Sequence, residues 1–279
     1  MPILHAIILG LVQGLSEFLP ISSSGHLLLV PWLFGWDDFD GDPGIEKAFD
    51  VALHIGTLVA AITYFRADIV RYVRAGCLTL TRRGPDRPAH PDGRVAWLLV
   101  LSSVPAALIG AVFEDTIDER LGTPTIIAIS LIGFGVLLGL ADQAVGRRPV
   151  EGYGWRDAAV VGAAQALALN PGTSRSGITM TAARRMGFDR DSAARLSFLM
   201  MIPVTAGAVI LKMAKLAADG VPDDLAVPMV VGIITSGISG WLAVWGLLRL
   251  VRTRTFTPFV VYRVLLGLAV LGIVAIGWR

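Results

Sequence analysis

Two short stretches of the chain gather the residue types that could carry chemistry. The first runs from Gln13 to His26 and places Glu17, Ser22, Ser23, Ser24 and His26 within ten residues. An ionisable group inside an apolar segment is costly to keep, so it marks a functional site until shown otherwise. Gln13 and Glu17 lie four apart, on one helical face. Read blandly, that pair is glue within a hairpin, and His26 is a packing histidine in an apolar run. The second stretch, Pro171 to Gly177, supplies the complementary charge: Pro171 and Gly172 stop a helix, and Ser174, Arg175 and Ser176 follow. The planar fork of arginine matches phosphate oxygens with two parallel hydrogen bonds. Small residues on both sides let main-chain amides approach an anion. A helix starting near Gly177 would aim its N-terminal dipole at the same place. The chemistry these types suit is phosphate handling, with Arg175 free in the alternative simply to pair with Glu17. A third pair, Asp50 and His54, is again four apart and could flank the site or be structural.

These residues must be positioned by membrane elements. The chain of 279 residues is 54% hydrophobic and only 16% charged, against about 25% charged in soluble domains. Its mean hydropathy is +0.67, and a net charge of +2 is too small to suggest nucleic acid. The single cysteine, Cys77, excludes an internal disulfide and a cysteine metal cluster. No removable signal peptide is expected, and the apolar run Ile3 to Val12 is too short to span.

Six apolar segments predict spans at roughly 48–65, 95–113, 124–144, 197–216, 227–248 and 257–277, each near the length a bilayer needs. The connections alternate in charge. Segments 35–47, 114–123 and 217–226 are acidic. Segments 66–94, 145–156 and 249–256 carry the arginines that stay on the cytoplasmic side. Stretches 1–34 and 157–195 fit no span. Each is broken by Pro, Gly and hydroxyls. Both flanks of the second are basic, so it enters from the cytoplasm and returns to it. The first, followed by an acidic connection, should by pairing with it enter from outside and return there, and both are expected to be re-entrant hairpins. Broken backbone at membrane depth survives only inside protein or along a wet cavity.

The two breaks also align with each other. QGLSEFLPISSSG and QALALNPGTSRSG share Gln13/Gln165, Leu15/Leu167, Ser22/Ser174, Ser24/Ser176 and Gly25/Gly177, a constant offset of 165 minus 13, or 152. Each is followed by three spans, so the halves 1–145 and 146–279 should be inverted repeats within one structural unit, with the site near their pseudo-two-fold axis.

The stretches Gln13 to His26 and Pro171 to Gly177 resemble the two signature motifs of the undecaprenyl-diphosphate phosphatase family, the bacitracin-resistance type. Phe49 to Thr57 fits as well, and the resemblance covers essentially the whole chain. It implies hydrolysis of undecaprenyl diphosphate to the monophosphate, which recycles the lipid carrier of bacterial cell-wall synthesis, supported by a divalent cation, Mg2+ or Ca2+. The first position of the family's E/Q-x-x-x-E motif is Gln13 here, so Glu17 must supply the carboxylate and would be the metal ligand.

The expected fold is therefore an all-α integral membrane protein of six transmembrane helices and two re-entrant hairpins. The expected catalytic residues are Glu17, Ser23, His26 and Arg175. Ser23 is the preferred nucleophile and His26 its base or the proton donor to the leaving group; attack by metal-bound water is the competing chemistry. Gln13, Ser22, Ser24, Ser174, Ser176, Gly172, Asp50 and His54 are expected to bind substrate. The protein should be multi-pass in the bacterial plasma membrane, with its site facing the outer side and its substrate a polyprenyl diphosphate in the bilayer. A homodimer is compatible with this reading. Two other classes fit the pattern less well: a polyprenyl-phosphate flippase using the same inverted-repeat site, and a non-catalytic scaffold.

Overall fold

Apolar runs bounded by proline, glycine and hydroxyl residues fold as the helices their composition demands. The computed structural model describes residues 1–39, 42–81, 91–219 and 223–278. Among them the helices run α1 (Ile3–Phe18), α2 (Ser23–Phe34), α3 (Pro43–Tyr64), α4 (Arg66–Thr81), α5 (Pro91–Leu101), α6 (Val104–Leu121), α7 (Pro124–Asp142), α8 (Trp155–Ala166), α9 (Arg175–Arg185), α10 (Arg190–Asp219), α11 (Asp223–Leu250) and α12 (Thr257–Ala275). Prolines open α3 and α7, where their missing N–H costs nothing. Asp42 and Thr123 cap those same starts, accepting from Ile45 N at 3.2 Å and Ile126 N at 3.4 Å. No strand forms among the described residues.

Five described helices are long and apolar enough to cross a membrane: Pro91–Phe113, Pro124–Asp142, Arg190–Ala214, Asp224–Leu250 and Thr257–Ala275. They carry large aliphatic side chains on their outer faces, among them Val112 (72% exposed) and Leu211 (73% exposed), a surface that only lipid or a partner can cover. The predicted span 48–65 falls in α3, where Lys47, Asp50 and His54 dilute the apolar run. It is long and apolar enough to cross only together with α4, from which it is bent by 79°.

The charged connections are shorter than their composition suggests. Of the predicted loop 66–94, residues Arg66–Thr81 are helix α4, and residues 82–90, with Arg82, Arg83 and Arg87, lie outside the described residues. The acidic stretch 114–123 is helical through Leu121, and α3 already begins at Pro43. Charge alone does not break a helix. Asp40, in the first acidic connection, also lies outside the described residues.

The charged connections nevertheless sort to two ends. Met1 N approaches Asp224 at 3.9 Å, and His5 Nδ1 meets Asp38 at 2.7 Å. At the other end Arg71 reaches Glu151 at 3.9 Å, Arg195 reaches Asp68 at 3.5 Å, and Arg252 reaches Asp191 at 3.1 Å. The His5–Asp38 contact also brings the start of α1 beside the end of α2. Arg148 does the same for the second pair: it bonds Asp157 in the first turn of α8 at 2.6 Å and the Met186 carbonyl just past α9 at 2.7 Å. Both broken stretches thus fold back on themselves.

Small residues bring the α1–α2 pair against the second half of the chain. A Cβ on Gly14 would lie 2.0 Å from Ser239 Oγ and 2.4 Å from Ser236 O, and one on Gly56 2.1 Å from Ser236 Oγ. So α11 takes α1 and α3 at backbone contact, as membrane helices associate through small residues rather than through the hydrophobic effect. Reciprocally, α8 packs on α6 and α9 on α7. Each broken pair is held by spans from the other half.

Candidate active site

The two breaks end in matching local structures. Ser22 precedes α2 with φ 79°, and Ser174 precedes α9 with φ 74°; they are the positive-φ non-glycine residues among the described ones. Such backbone costs on the order of 1–3 kcal/mol per residue and persists where the surroundings over-determine it, often at functional sites. Each serine caps its helix: Ser22 Oγ accepts from Gly25 N at 3.3 Å, and Ser174 Oγ accepts from Gly177 N at 3.0 Å. Each also faces the serine two residues on, Ser24 at 3.5 Å and Ser176 at 3.2 Å. The 152-residue offset in sequence is therefore repeated in the capping geometry. The second helix starts two residues earlier than Gly177, at Arg175.

The tips are bonded to each other. Gly172 N donates to Ser22 Oγ at 3.1 Å, and Ser176 Oγ donates to Leu19 O at 3.1 Å. Gly172 has φ +90°, and a Cβ there would lie 2.5 Å from Ile127 O, so only glycine fits. Asn170 steadies the second tip by donating to Ser130 Oγ at 2.8 Å and Thr173 Oγ1 at 3.1 Å.

Between the tips, Glu17 is the hub. One carboxylate oxygen accepts from Arg175 Nη2 across the two breaks. The other accepts from Ser23 Oγ at 2.5 Å and Gln13 Nε2 at 3.3 Å, and stands 3.7 Å from His54 Nε2. The Glu17 side chain is 4% exposed and that of Arg175 18%. Arg175 Nη1 reaches on to Thr205 Oγ1 on α10 at 2.8 Å. The starts of α2 and α9 both lie at this cluster, and helix N-termini favour anions.

The expected residues therefore divide. Gln13, Glu17, Ser23, His54 and Arg175 meet in one cluster. Ser22, Ser174, Ser176 and Gly172 shape and join the tips, so the Gly172 amide is engaged by Ser22 rather than turned to a ligand. Ser24 is exposed beside them. Asp50 lies one turn before His54 and accepts the His54 Nδ1 hydrogen through its carbonyl at 2.7 Å. His26 stands apart from Ser23: its Nδ1 meets Ser22 O at 2.6 Å, its Nε2 meets Tyr262 Oη at 2.7 Å, and the two rings stack. Glu17, not His26, is the group on the Ser23 hydroxyl.

Three residues were missed in the sequence. Thr205 and Tyr262 carry weak signals, a hydroxyl and a phenol within apolar runs. Arg263 carries a strong one, a charge inside segment 257–277, and is fully buried.

No group of three His, Cys, Asp or Glu side chains among the described residues could hold a metal ion. Gln13 Oε1, however, is buried without a hydrogen-bond partner on the side chain that bonds Glu17. One carboxylate, one amide oxygen and one hydroxyl suit a hard cation that draws its other ligands from phosphate and water.

The family described as Bacitracin resistance protein BacA matches residues 6–269. A protein of Geobacter sulfurreducens named Undecaprenyl-diphosphatase is 48% identical over 273 residues, 97% of this chain and 98% of its own. Proteins of the same name from Pelobacter propionicus and Nocardioides sp. are 46% identical over 279 residues (99% of each chain) and 44% identical over 277 residues (98% of this chain and 97% of the relative). With both signature stretches converging on Glu17 and the match running almost end to end, the chain belongs to the bacitracin resistance protein BacA family.

Proposed function

We propose that this protein is an integral membrane phosphatase that hydrolyses undecaprenyl diphosphate to undecaprenyl phosphate and inorganic phosphate, returning the lipid carrier to bacterial cell-wall synthesis. The observation that carries the reading is the Ser23 hydroxyl at 2.5 Å from a carboxylate that also holds Arg175 from the opposite break. A hydroxyl, its base and a cation drawn from two separate segments form the minimal set for phosphoryl transfer, where positioning and charge stabilisation do most of the catalysis.

In this reading Arg175, helped by the two helix N-termini, takes the terminal phosphate. Glu17 accepts the proton of Ser23 as Oγ attacks the terminal phosphorus. The bond from that phosphorus to the bridging oxygen breaks, and undecaprenyl phosphate leaves. Water then attacks the phosphoserine while Glu17 returns its proton to Oγ, regenerating the hydroxyl and releasing phosphate. His54 beside Glu17 steadies the carboxylate and its proton. A divalent cation, Mg2+ or Ca2+, would be held by Glu17 and Gln13 Oε1 and would supply charge neutralisation to the phosphate oxygens.

The fold supporting this is six spans, with α3 and α4 forming the bent one, and two re-entrant hairpins, α1–α2 and α8–α9, related as inverted repeats. The acidic end faces outward, so the hairpin α1–α2 enters from the outside of the plasma membrane and the site opens there. The prenyl tail stays in the bilayer between helices.

The deciding experiment is phosphate release by purified protein in detergent, on polyprenyl diphosphates of different chain length, with and without chelator. Lipid binding without release would remove the enzyme reading. For the orientation, a cysteine at Asp224 in a background lacking Cys77 should react with an impermeant thiol reagent in intact cells, and one at Arg147 should not. The reverse pattern would turn the site inward.

A further inference from the structure

Arg263 on α12 is fully buried, yet its donors go to main-chain oxygens rather than to a carboxylate. Nη1 donates to Pro20 O at 3.1 Å in the first tip. Nη2 donates to Gly172 O at 2.8 Å and Thr173 O at 2.9 Å in the second. Nε donates to Leu131 O at 3.1 Å, and Nη2 lies 3.4 Å from Ser130 O, both on α7. One planar group thus bridges both breaks and a span.

Burying a guanidinium without a counter-charge is expensive, and it is tolerated only when its donors are all met. What this one secures is the relative placement of two short turns. Pro20 lies three residues before Ser23, and Thr173 two before Arg175. Fixing their carbonyls fixes where α2 and α9 begin, and so where the Ser23 hydroxyl and the Arg175 guanidinium project. The positive-φ serines between them, Ser22 and Ser174, need such external restraint. The direct bonds between the tips, Gly172 to Ser22 and Ser176 to Leu19, join the same two turns. Asn170 ties the second to α7 and His26 the first to α12, and among the described residues Arg263 is the one side chain outside the tips that binds both at once.

We infer that Arg263 is a positioning residue for phosphoryl transfer: it holds the two tips in the register that sets Ser23 and Arg175 on the same Glu17 carboxylate. This rests on the reading of those three residues as the reacting cluster. Arg263 touches none of the three and acts through the main chain of both tips. Lysine has one ammonium and cannot reproduce the fork. A shift of about 1 Å in a reacting group can cost 10²-fold in rate.

The test uses full-length protein in detergent and follows kcat and KM for undecaprenyl diphosphate together with thermal stability. Arg263→Lys should lower kcat at least about 30-fold and leave KM within about threefold. Because this variant could fail to fold, a second one perturbs the arginine without removing it. On α7, a Cβ at Gly135 would sit 3.1 Å from Arg263 Cβ and 3.3 Å from its Nε. One turn on, a Cβ at Gly139 would sit 3.3 Å from Val260 Cγ1. Gly135→Ala and Gly139→Ala thus both tighten the α7–α12 contact, the first slightly more, and of the two the first presses on the arginine. A kcat about tenfold lower for Gly135→Ala at matched stability, with Gly139→Ala near wild type, supports the inference. Equal kcat in the two glycine variants, or a folded Arg263→Lys with normal kcat, overturns it. Ser23→Ala and Arg175→Ala run alongside. If both stay active, the cluster reading itself fails and the inference with it. If both are inactive while Gly135→Ala is unimpaired, only the positioning role is lost.

Discussion

Glu17→Gln is the sharpest perturbation the site offers, because it keeps shape and removes charge at the hub. One oxygen of Glu17 takes Arg175, and the other takes Ser23 at 2.5 Å and Gln13 at 3.3 Å. A glutamine turned either way puts an NH2 against one of these sets, so a donor meets a donor. If the amide faces Ser23, the hydroxyl loses its base; if it faces Arg175, the cation loses its anchor. Removing one preorganised charge-stabilising group costs about 100-fold or more in turnover, near 2.7 kcal/mol at about 1.36 kcal/mol per decade. The sign on binding is opposite. In the free enzyme the Glu17 carboxylate competes with the diphosphate for Arg175, and it repels that anion. Glu17→Gln should therefore leave KM unchanged or lower it while kcat falls, a pattern that separates lost chemistry from lost affinity. Breaking a buried pair costs about 3–5 kcal/mol in stability. Arg175 here is 18% exposed and keeps Thr205, so about 1–3 kcal/mol is the expected loss. Glu17→Asp keeps the charge but withdraws it by one methylene, and should fall between wild type and Glu17→Gln. The assay is phosphate release at saturating undecaprenyl diphosphate, normalised to folded protein by thermal melting. Folded Glu17→Gln with more than about a tenth of wild-type kcat, or with a raised KM and intact kcat, would refute the assignment of Glu17 as base.

The remaining expectations use the same assay. Arg175→Ala should lower turnover by at least about 100-fold and raise KM, the opposite sign to Glu17→Gln; near-normal activity removes it from the site. Ser23→Ala should abolish hydrolysis and leave lipid binding intact, and rapid quench of the wild type should trap a phosphoserine. More than about a tenth of wild-type turnover in Ser23→Ala, a barrier change of only about 1.4 kcal/mol, would make water the nucleophile. Stripping divalent cations should stop turnover, and Mg2+ or Ca2+ should restore it; full activity in excess chelator contradicts a cation at Glu17 and Gln13. Gly14→Ala should destabilise the protein by about 1–3 kcal/mol or more through overpacking of α1 on α11, read as a lower melting temperature in detergent.

Sequence reasoning reached the helices furthest where apolar length governs. Segments 124–144 and 257–277 map onto α7 and α12 with little shift, because a bilayer leaves the backbone no other way to satisfy itself. It failed at the borders of charged connections. The arginines of Arg66 to Thr81 predict a loop, yet α4 forms there. The helix packs along α5 and needs no apolar stretch of spanning length to form. Only the 79° bend after Tyr64 separates it from α3, and periodicity within either helix is silent about an angle between them.

The site divides along the same physical line. Residues whose partners are near in sequence could be read: Gln13 and Glu17 share a face, and Ser22 and Ser174 announce caps before short helices. The long-range pairing of Glu17 with Arg175 was legible too, because charge in an apolar segment must be matched and the sequence offered few candidates. His26 misled for the opposite reason. Three residues after Ser23 on the same helix, its position in the sequence predicts a ring that serves that hydroxyl. But a helical i to i+3 spacing near the N-terminus sets only where Cβ points, and its ring satisfied itself on Ser22 O and Tyr262 instead. The histidine that does approach Glu17 comes from α3, through the Asp50–His54 turn. Arg263 carries a signal of the same kind as Glu17. The argument that singled out Glu17, that an intramembrane charge is kept for a reason, applies with equal force to an arginine in segment 257–277. Its partners are carbonyls, which every residue carries, so no residue type in the sequence could have named them. That is why the clamp across the two tips emerges only when main-chain oxygens from Pro20, Gly172 and Thr173 are seen to converge on one guanidinium.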